Sequence, residues 1–336
     1  MAATNTANDQ HEKLFLIEKA LETGRNIAII GPHGIGKTQA VRAIIREKLP
    51  QYKMVYVSLA QMSKDDLLVP MPVEKHGRKM VQYLPLEIFD DMCEDGVRRP
   101  IILVMDEFNR NISDPQLYNA LLEFMSVGTL AGVPLNIHCF VALMNPNDDD
   151  TYFNTSELEA PVIDRFDLFV PVDQYDLGAD MYLLNKYEEA GGVIEWYLSL
   201  PADLKKEVPP RRQEKVIVNW RNGMGVYYSF PRTSSLPLTQ LEQILSGGNI
   251  WTLKRLIGQP QAAAEEIRQR PAMLPLFVAL LRLISATADA RKVKPLLKEL
   301  PPYVLQGLGR YSYMWSKVIS ELAEELKGHK ARPIEL

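Results

Sequence analysis

The stretch Gly31-Pro32-His33-Gly34-Ile35-Gly36-Lys37-Thr38 constrains this chain more than any other feature. It fills every fixed position of the pattern G-x-x-x-x-G-K-[ST]. Before it, residues 26–30 form a short apolar run that predicts a buried strand. After it, residues 39–49 carry Ala40, Val41, Ile44 and Ile45 at helical spacing. Strand, glycine loop and helix start are the parts of a phosphate cradle. The glycines let backbone N–H groups converge on phosphate oxygens with no Cβ in the way. The helix N-terminus adds partial positive charge. In such a loop Lys37 reaches the β- and γ-phosphates and Thr38 offers its hydroxyl to Mg²⁺. Residues 31–38, with Gln39 beside them, are therefore the candidate ATP contacts, and ATP and Mg²⁺ the candidate ligands.

A chain of 336 residues exceeds one ordinary core and predicts two or three domains. Its apolar fraction of 46% and charged fraction of 24% match a globular protein surrounded by water. A net charge of −4 gives no global attraction to nucleic acid. Cys93 and Cys139 lack partner spacing, which points to a reducing compartment without a zinc site. Residues 1–10 are polar, unlike a signal peptide. The longest apolar run, 272–281, stops at Arg282 and is too short to span a bilayer. A cytoplasmic protein with no membrane insertion is the expectation.

In chain order, residues 10–23 predict a helix with Leu14, Ile17 and Leu21 on one face and Gly24 after its end. A second strand is predicted at 54–59. Residues 68–85 hold two short runs around His76-Gly77-Arg78-Lys79, which read either as an inserted hairpin or as a surface loop. Residues 101–107 are a buried strand ending in Asp106-Glu107, at the end where open α/β sheets bind ligands. Asp106 suits Mg²⁺ through water, and Glu107 suits activation of an attacking water. Ser113-Asp114-Pro115 reads as a helix start, and the helix 115–125 buries Leu117, Leu121, Leu122 and Met125. A strand at 137–144 ends in Asn145-Pro146-Asn147. Asn145 either orients the water or begins a turn. Arg165, in Asp164-Arg165-Phe166-Asp167 before the fifth strand, either pairs with a neighbouring Asp or stabilises transition-state charge at another subunit's phosphate.

These pieces together resemble the AAA+ ATPases, in their MoxR-like and dynein-related branch. The resemblance rests on the loop 31–38, Asp106-Glu107-Phe108-Asn109-Arg110, residues 120–125, Met144-Asn145-Pro146 and Asp164-Arg165-Phe166. It covers roughly residues 10–245, with 68–85 where that branch carries its helix-2 insert. It implies that Asn145 is sensor 1 and Arg165 the arginine finger. His33 departs from the branch, which more often has proline or glutamate there, and Asp148-Asp149-Asp150 departs in a loop that usually varies less. The implied architecture is a three-layer α/β P-loop NTPase domain with a parallel five-stranded sheet, followed by an all-α lid. The expected divisions are 1–174, 175–248 and a helical extension, 249–336. After residue 172 helices are predicted at 178–190, 193–200 and from 210. The family's sensor 2 falls on Arg211, with Arg212 and Arg232 as competitors. Gly247-Gly248 breaks the chain, and Trp315, Val318, Ile319 and Leu322 share one helix face.

The resemblance implies an ATP-hydrolysing homo-oligomer, a hexameric ring, that acts on a protein client or a von Willebrand A-domain partner. A nucleic-acid motor is the competing class. The acidic balance and the lack of a basic cluster beyond residues 75–79 disfavour it. A nucleotide-gated scaffold without turnover is a third, against which stand Asp106, Glu107 and Arg165.

Overall fold

Apolar β-branched runs set the centre of the first compact unit. The computed structural model describes residues 6–61, 68–85, 87–110, 115–130, 132–146 and 158–329. Packing divides the described residues into one unit within 13–173 and another of 174–329 together with residues 6–12.

The first unit begins with α1 (Thr6–Glu22) from Lys13 onward, followed by β1 (Ile27–Ile30), α2 (Lys37–Lys48) and β2 (Lys53–Ser58). The antiparallel pair β3 (Leu68–Lys75) and β4 (Arg78–Pro85) follows, then β5 (Ile101–Asp106), α3 (Pro115–Val127) and the short β6 (Thr129–Leu130) and β7 (Val133–Pro134). The unit ends with β8 (Ile137–Met144), α4 (Ala160–Ile163) and β9 (Leu168–Pro171). Five strands form one parallel sheet in the order β2-β5-β8-β1-β9. This is the parallel five-stranded P-loop NTPase arrangement that the motifs predict. Strands such as β5 and β8 are apolar almost throughout and buried on both faces, which is why they read as unbroken runs. The chain leaves β1 for β2 on one side of the sheet and later places β9 on the other. That reversal sits directly below the loop 31–38.

α1 ends as expected, with Ile17 and Leu21 fully buried and Gly24 at φ 70. On α3 the buried residues are Leu121, Phe124 and Met125, spaced i, i+3, i+4, while Leu122 is only half-buried, one step around the helix. The Leu117 side chain and residues 113–114 lie outside the described set, as do Asn147 and Asp148 to Asp150. Residues 68–85 are a hairpin rather than a surface loop. Its register runs from Leu68↔Pro85 to Lys75↔Arg78, and His76 and Gly77 turn with φ 54 and 72. Met71 and Val81, on opposite faces of this hairpin by register, are both exposed.

The second unit is helical: α5 (Ala179–Lys186), α6 (Ala190–Ser199), α7 (Ala202–Lys205), α8 (Pro210–Arg221), α9 (Leu238–Ser246), α10 (Leu253–Gly258) and α11 (Pro260–Gln269). α12 (Leu274–Arg282), α13 (Thr287–Lys292), α14 (Lys294–Leu297), α15 (Pro302–Tyr311) and α16 (Tyr313–His329) complete it. One apolar cluster runs from Tyr175 to Leu322. The chain does turn at Gly248, with φ 65, but packing does not break there. Trp251 lies against Gly191, where a Cβ would overlap the Trp251 carbonyl oxygen, and its ring meets Phe277 edge-on at 5.0 Å. Residues 175–248 and those after 249 therefore share one core. Trp315, Val318 and Leu322 are buried in it, with Ile319 packed at its margin, so this stripe is a core face.

Candidate nucleotide site

The loop between β1 and α2 is shaped by close packing. Gly31 donates its N–H to Met144 O at 3.1 Å, extending the sheet by one bond past the strand end. A Cβ at Gly31 would overlap the Val172 carbonyl and stand 2.7 Å from Val172 Cγ2, so only glycine fits. Gly34 and Gly36 have φ 75 and 95, and Ile35 between them is wholly buried and anchors the loop from below. α2 starts at Lys37, which leaves the N–H groups of its first turn without intrahelical acceptors. Pro32 is half-buried, and His33 and Gln39 are exposed.

Lys37 is 9% exposed, and an ammonium that buried is costly unless bonded. Its Nζ donates to Gly31 O at 2.6 Å, Pro32 O at 2.9 Å and Asn145 Oδ1 at 3.2 Å. The lysine thus ties the loop to the end of β8.

Asp106 is held at both oxygens. Oδ2 accepts from Thr38 Oγ1 at 3.0 Å and from Tyr56 OH at 2.9 Å, and Oδ1 accepts from the Glu107 N–H at 2.8 Å. Burial, then the Asp106 carboxylate, push the Tyr56 phenol up to about 12, so it remains a donor at neutral pH. Glu107 has φ 53, a left-handed backbone that costs a non-glycine residue roughly 1–2 kcal/mol. The buried Phe108 holds it there by donating its N–H to Leu143 O at 3.1 Å. The Glu107 carboxylate accepts from Arg110 Nη1 at 2.7 Å. Asn109, 2% exposed, donates from Nδ2 to Asn145 O at 2.8 Å and accepts the Asn145 N–H at Oδ1 at 3.4 Å. Its side chain therefore grips both backbone polar groups of Asn145.

A cleft of about 560 Å³ opens beside this cluster, lined by Gly31, Pro32, Asn109, Asn145, Val172 and Asp173 among others. Among the described residues no group of three or more His, Cys, Asp or Glu side chains converges to hold a metal alone. Thr38 and Asp106 instead offer two hard oxygen donors 3.0 Å apart, a set that fits Mg²⁺ shared with phosphate oxygens.

Arg165 lies elsewhere. Asn26, just before β1, donates from Nδ2 to Arg165 O at 3.1 Å, and Asp167 accepts from Asn26 N at 2.8 Å and Arg25 Nη1 at 3.1 Å. Arg165 therefore sits at the end of β1 where the strand begins, while the loop 31–38 leaves the other end. Four residues of strand separate the two ends by roughly 13 Å. The Arg165 Nε donates to Ser126 Oγ at 2.6 Å, and among the described ion pairs Asp167 pairs with Arg25 rather than Arg165. In the helical unit Arg211 is exposed in the first turn of α8. Arg212 is tied to Ser229 O at 2.7 Å, and Arg232 is exposed.

The structure thus brings together Lys37, Thr38, Asp106 and Asn145, with Glu107 next to Asp106, and sets Arg165 apart. Sequence reasoning missed Tyr56 and the grip of Asn109 on Asn145. Both act over separations of 50 and 36 residues, and an exposed tyrosine on a strand carries no local signal.

A family model described as the AAA domain of the dynein-related subfamily matches residues 26–166. Those residues contain β1, the loop, Asp106-Glu107, Asn145 and Arg165. Among solved structures, the RuvB Holliday junction branch migration motor of Thermotoga maritima is similar at 14% identity. That match covers 89% of this chain and 87% of that one, with a TM-score of 0.39. NtrX from Brucella abortus in complex with ATP is similar at 15% identity over 88% of this chain and 68% of that one, with a TM-score of 0.43. A search of curated proteins finds no match. Residues 26–166 thus form an AAA domain of the dynein-related subfamily, the family of ATPases that this part of the chain matches.

Proposed function

We propose that this ATPase works as a MoxR-type ring, a hexamer, that remodels or activates a protein partner, and that hydrolysis is completed between subunits. The observation that carries this reading is the separation of Arg165 from the loop 31–38 along β1. An arginine that cannot reach its own phosphate site is free to serve a neighbour's.

In this reading the backbone N–H groups of residues 34–38 bind the phosphates of ATP. Lys37 exchanges the Gly31 and Pro32 carbonyls for β- and γ-phosphate oxygens, a charge-assisted gain that offsets the lost bonds. Thr38 and Asp106 would hold Mg²⁺, which when bound would supply positive charge against the phosphate oxygens. Glu107 leaves Arg110 to accept the proton of the attacking water. Asn145, gripped by Asn109, orients that water opposite the leaving phosphate oxygen. Arg165 meets the charge that develops in a neighbour's transition state. Arg211 is the residue we assign as sensor 2. The hairpin β3–β4, exposed on both faces, is the element we assign to a protein client or a von Willebrand A-domain partner. None of the described helices is long and apolar enough to cross a membrane.

The test pairs binding with turnover. Lys37→Ala should lose nucleotide binding in a fluorescent-nucleotide titration, and Glu107→Gln should bind ATP and release no phosphate. Equal nucleotide affinity of Lys37→Ala and wild type would reject the assignment of the loop.

A further inference from the structure

Tyr56 lies on the edge strand β2, whose Val55 and Val57 turn into the core. Tyr56 is on the opposite face and 44% exposed. A tyrosine so placed can satisfy its hydroxyl with water. Here the hydroxyl is turned back along the sheet instead. The register pairs Tyr56 with Val104, and the ring reaches two positions further to put OH 2.9 Å from Asp106 Oδ2. The same oxygen accepts from Thr38 Oγ1 at 3.0 Å. The terminal torsion of an aspartate is soft, with a broad, roughly two-fold profile. Three donors from three places (the first turn of α2, the neighbouring strand and the Glu107 backbone) fix that torsion here. Thr38 can donate its proton to Asp106 and still present a lone pair to a cation, provided the carboxylate stays in this orientation. Loss of the Tyr56 bond frees Oδ2 to rotate away from Thr38.

We infer that Tyr56 is a positioning residue for the divalent cation, acting through Asp106 to keep the Thr38–Asp106 oxygen pair set for it. This rests on the reading of Thr38 and Asp106 as the Mg²⁺ site. Partners that orient metal-facing groups typically contribute ten- to a hundredfold in metal affinity.

The test uses Tyr56→Phe, which removes one oxygen atom from a half-exposed ring, with Asp106→Asn and the double variant alongside. Mn²⁺ is the probe, titrated into each protein saturated with ADP and followed by the electron paramagnetic resonance signal of free Mn²⁺. ADP affinity is measured separately in EDTA, and the thermal midpoint without ligand. Tyr56→Phe should keep its midpoint and metal-free ADP affinity and should weaken Mn²⁺ binding about tenfold. The double variant should bind Mn²⁺ no more weakly than Asp106→Asn alone, because Tyr56 acts through that carboxylate. Wild-type Mn²⁺ affinity in Tyr56→Phe, with wild type itself binding both ADP and Mn²⁺, overturns the role of Tyr56 and leaves the cation site standing. Failure of wild type to bind Mn²⁺ in the ADP complex overturns both.

Discussion

Lys37 Nζ lies 3.2 Å from Asn145 Oδ1, joining two residues 108 positions apart, one at the start of α2 and one just past the end of β8. Two backbone carbonyls also accept from the lysine, so Asn145 is one of several partners that hold the ammonium. Its larger contribution is therefore expected in turnover. Asn145→Ala should lower kcat by about 10²-fold, the scale of losing one oriented polar group at the reacting centre. ADP affinity should change by less than about tenfold, or 1.4 kcal/mol. Phosphate-release kinetics with a parallel ADP titration checks the split. A large loss of ADP affinity with unchanged kcat would assign Asn145 to binding alone.

Gly31→Ala tests the packing beneath the loop. Its new Cβ overlaps the Val172 carbonyl, a backbone atom that cannot swing aside. A destabilisation of about 3 kcal/mol is expected from overpacking at this site. Gly258→Ala is the control, since no atom stands within 4 Å of its Cβ position. Denaturant midpoints should fall for Gly31→Ala and hold or rise slightly for Gly258→Ala.

Much of the nucleotide-binding unit was legible because its signals are local. A complete loop motif, an apolar strand ending in two carboxylates and an asparagine after another strand each announce themselves within ten residues. Tyr56 and Asn109 were not legible in role, since each acts by reaching a partner on another strand, and side-chain reach leaves no periodicity. The hairpin was ambiguous because Pro70 and Pro72 interrupt its pattern and, among its described side chains, none is buried to impose alternation. In the helical unit, Gly191-Gly192 reads as a helix breaker yet lies inside α6. There the absence of a Cβ lets Ile250 and Trp251 approach. Likewise Gly247-Gly248 reads as a boundary, but local punctuation says nothing of what the following tryptophan packs on.

A buried carboxyl in the helical unit should make stability depend on pH. Asp180 is 3% exposed, and burial pushes its carboxyl up to about 6, against the pull of Arg282 and with the help of Asp176. The fold thus holds this proton more tightly than the unfolded chain does. Its stabilising contribution is complete below the ordinary value of 3.8 and is lost as pH rises through about 6. Asp180→Asn removes that titration. The stability of wild type minus variant should fall by on the order of 1–3 kcal/mol between pH 4 and about 7. Parallel stability curves from denaturant titrations over this range would show that Asp180 does not titrate with folding.

The most direct test of shared active sites is a mixing experiment with Arg165→Ala and Glu107→Gln. Arg165 lies one strand length from the loop of its own chain and contacts Ser126. Each variant alone should bind ATP and hydrolyse it hardly at all, because an arginine finger is worth on the order of 10³–10⁵ in rate. In mixed assemblies, some sites with intact Glu107 face a neighbour with intact Arg165. Phosphate release should return in those assemblies, in proportion to the mixed interfaces that native mass spectrometry counts. Assemblies confirmed as mixed that remain inactive would contradict hydrolysis completed between subunits.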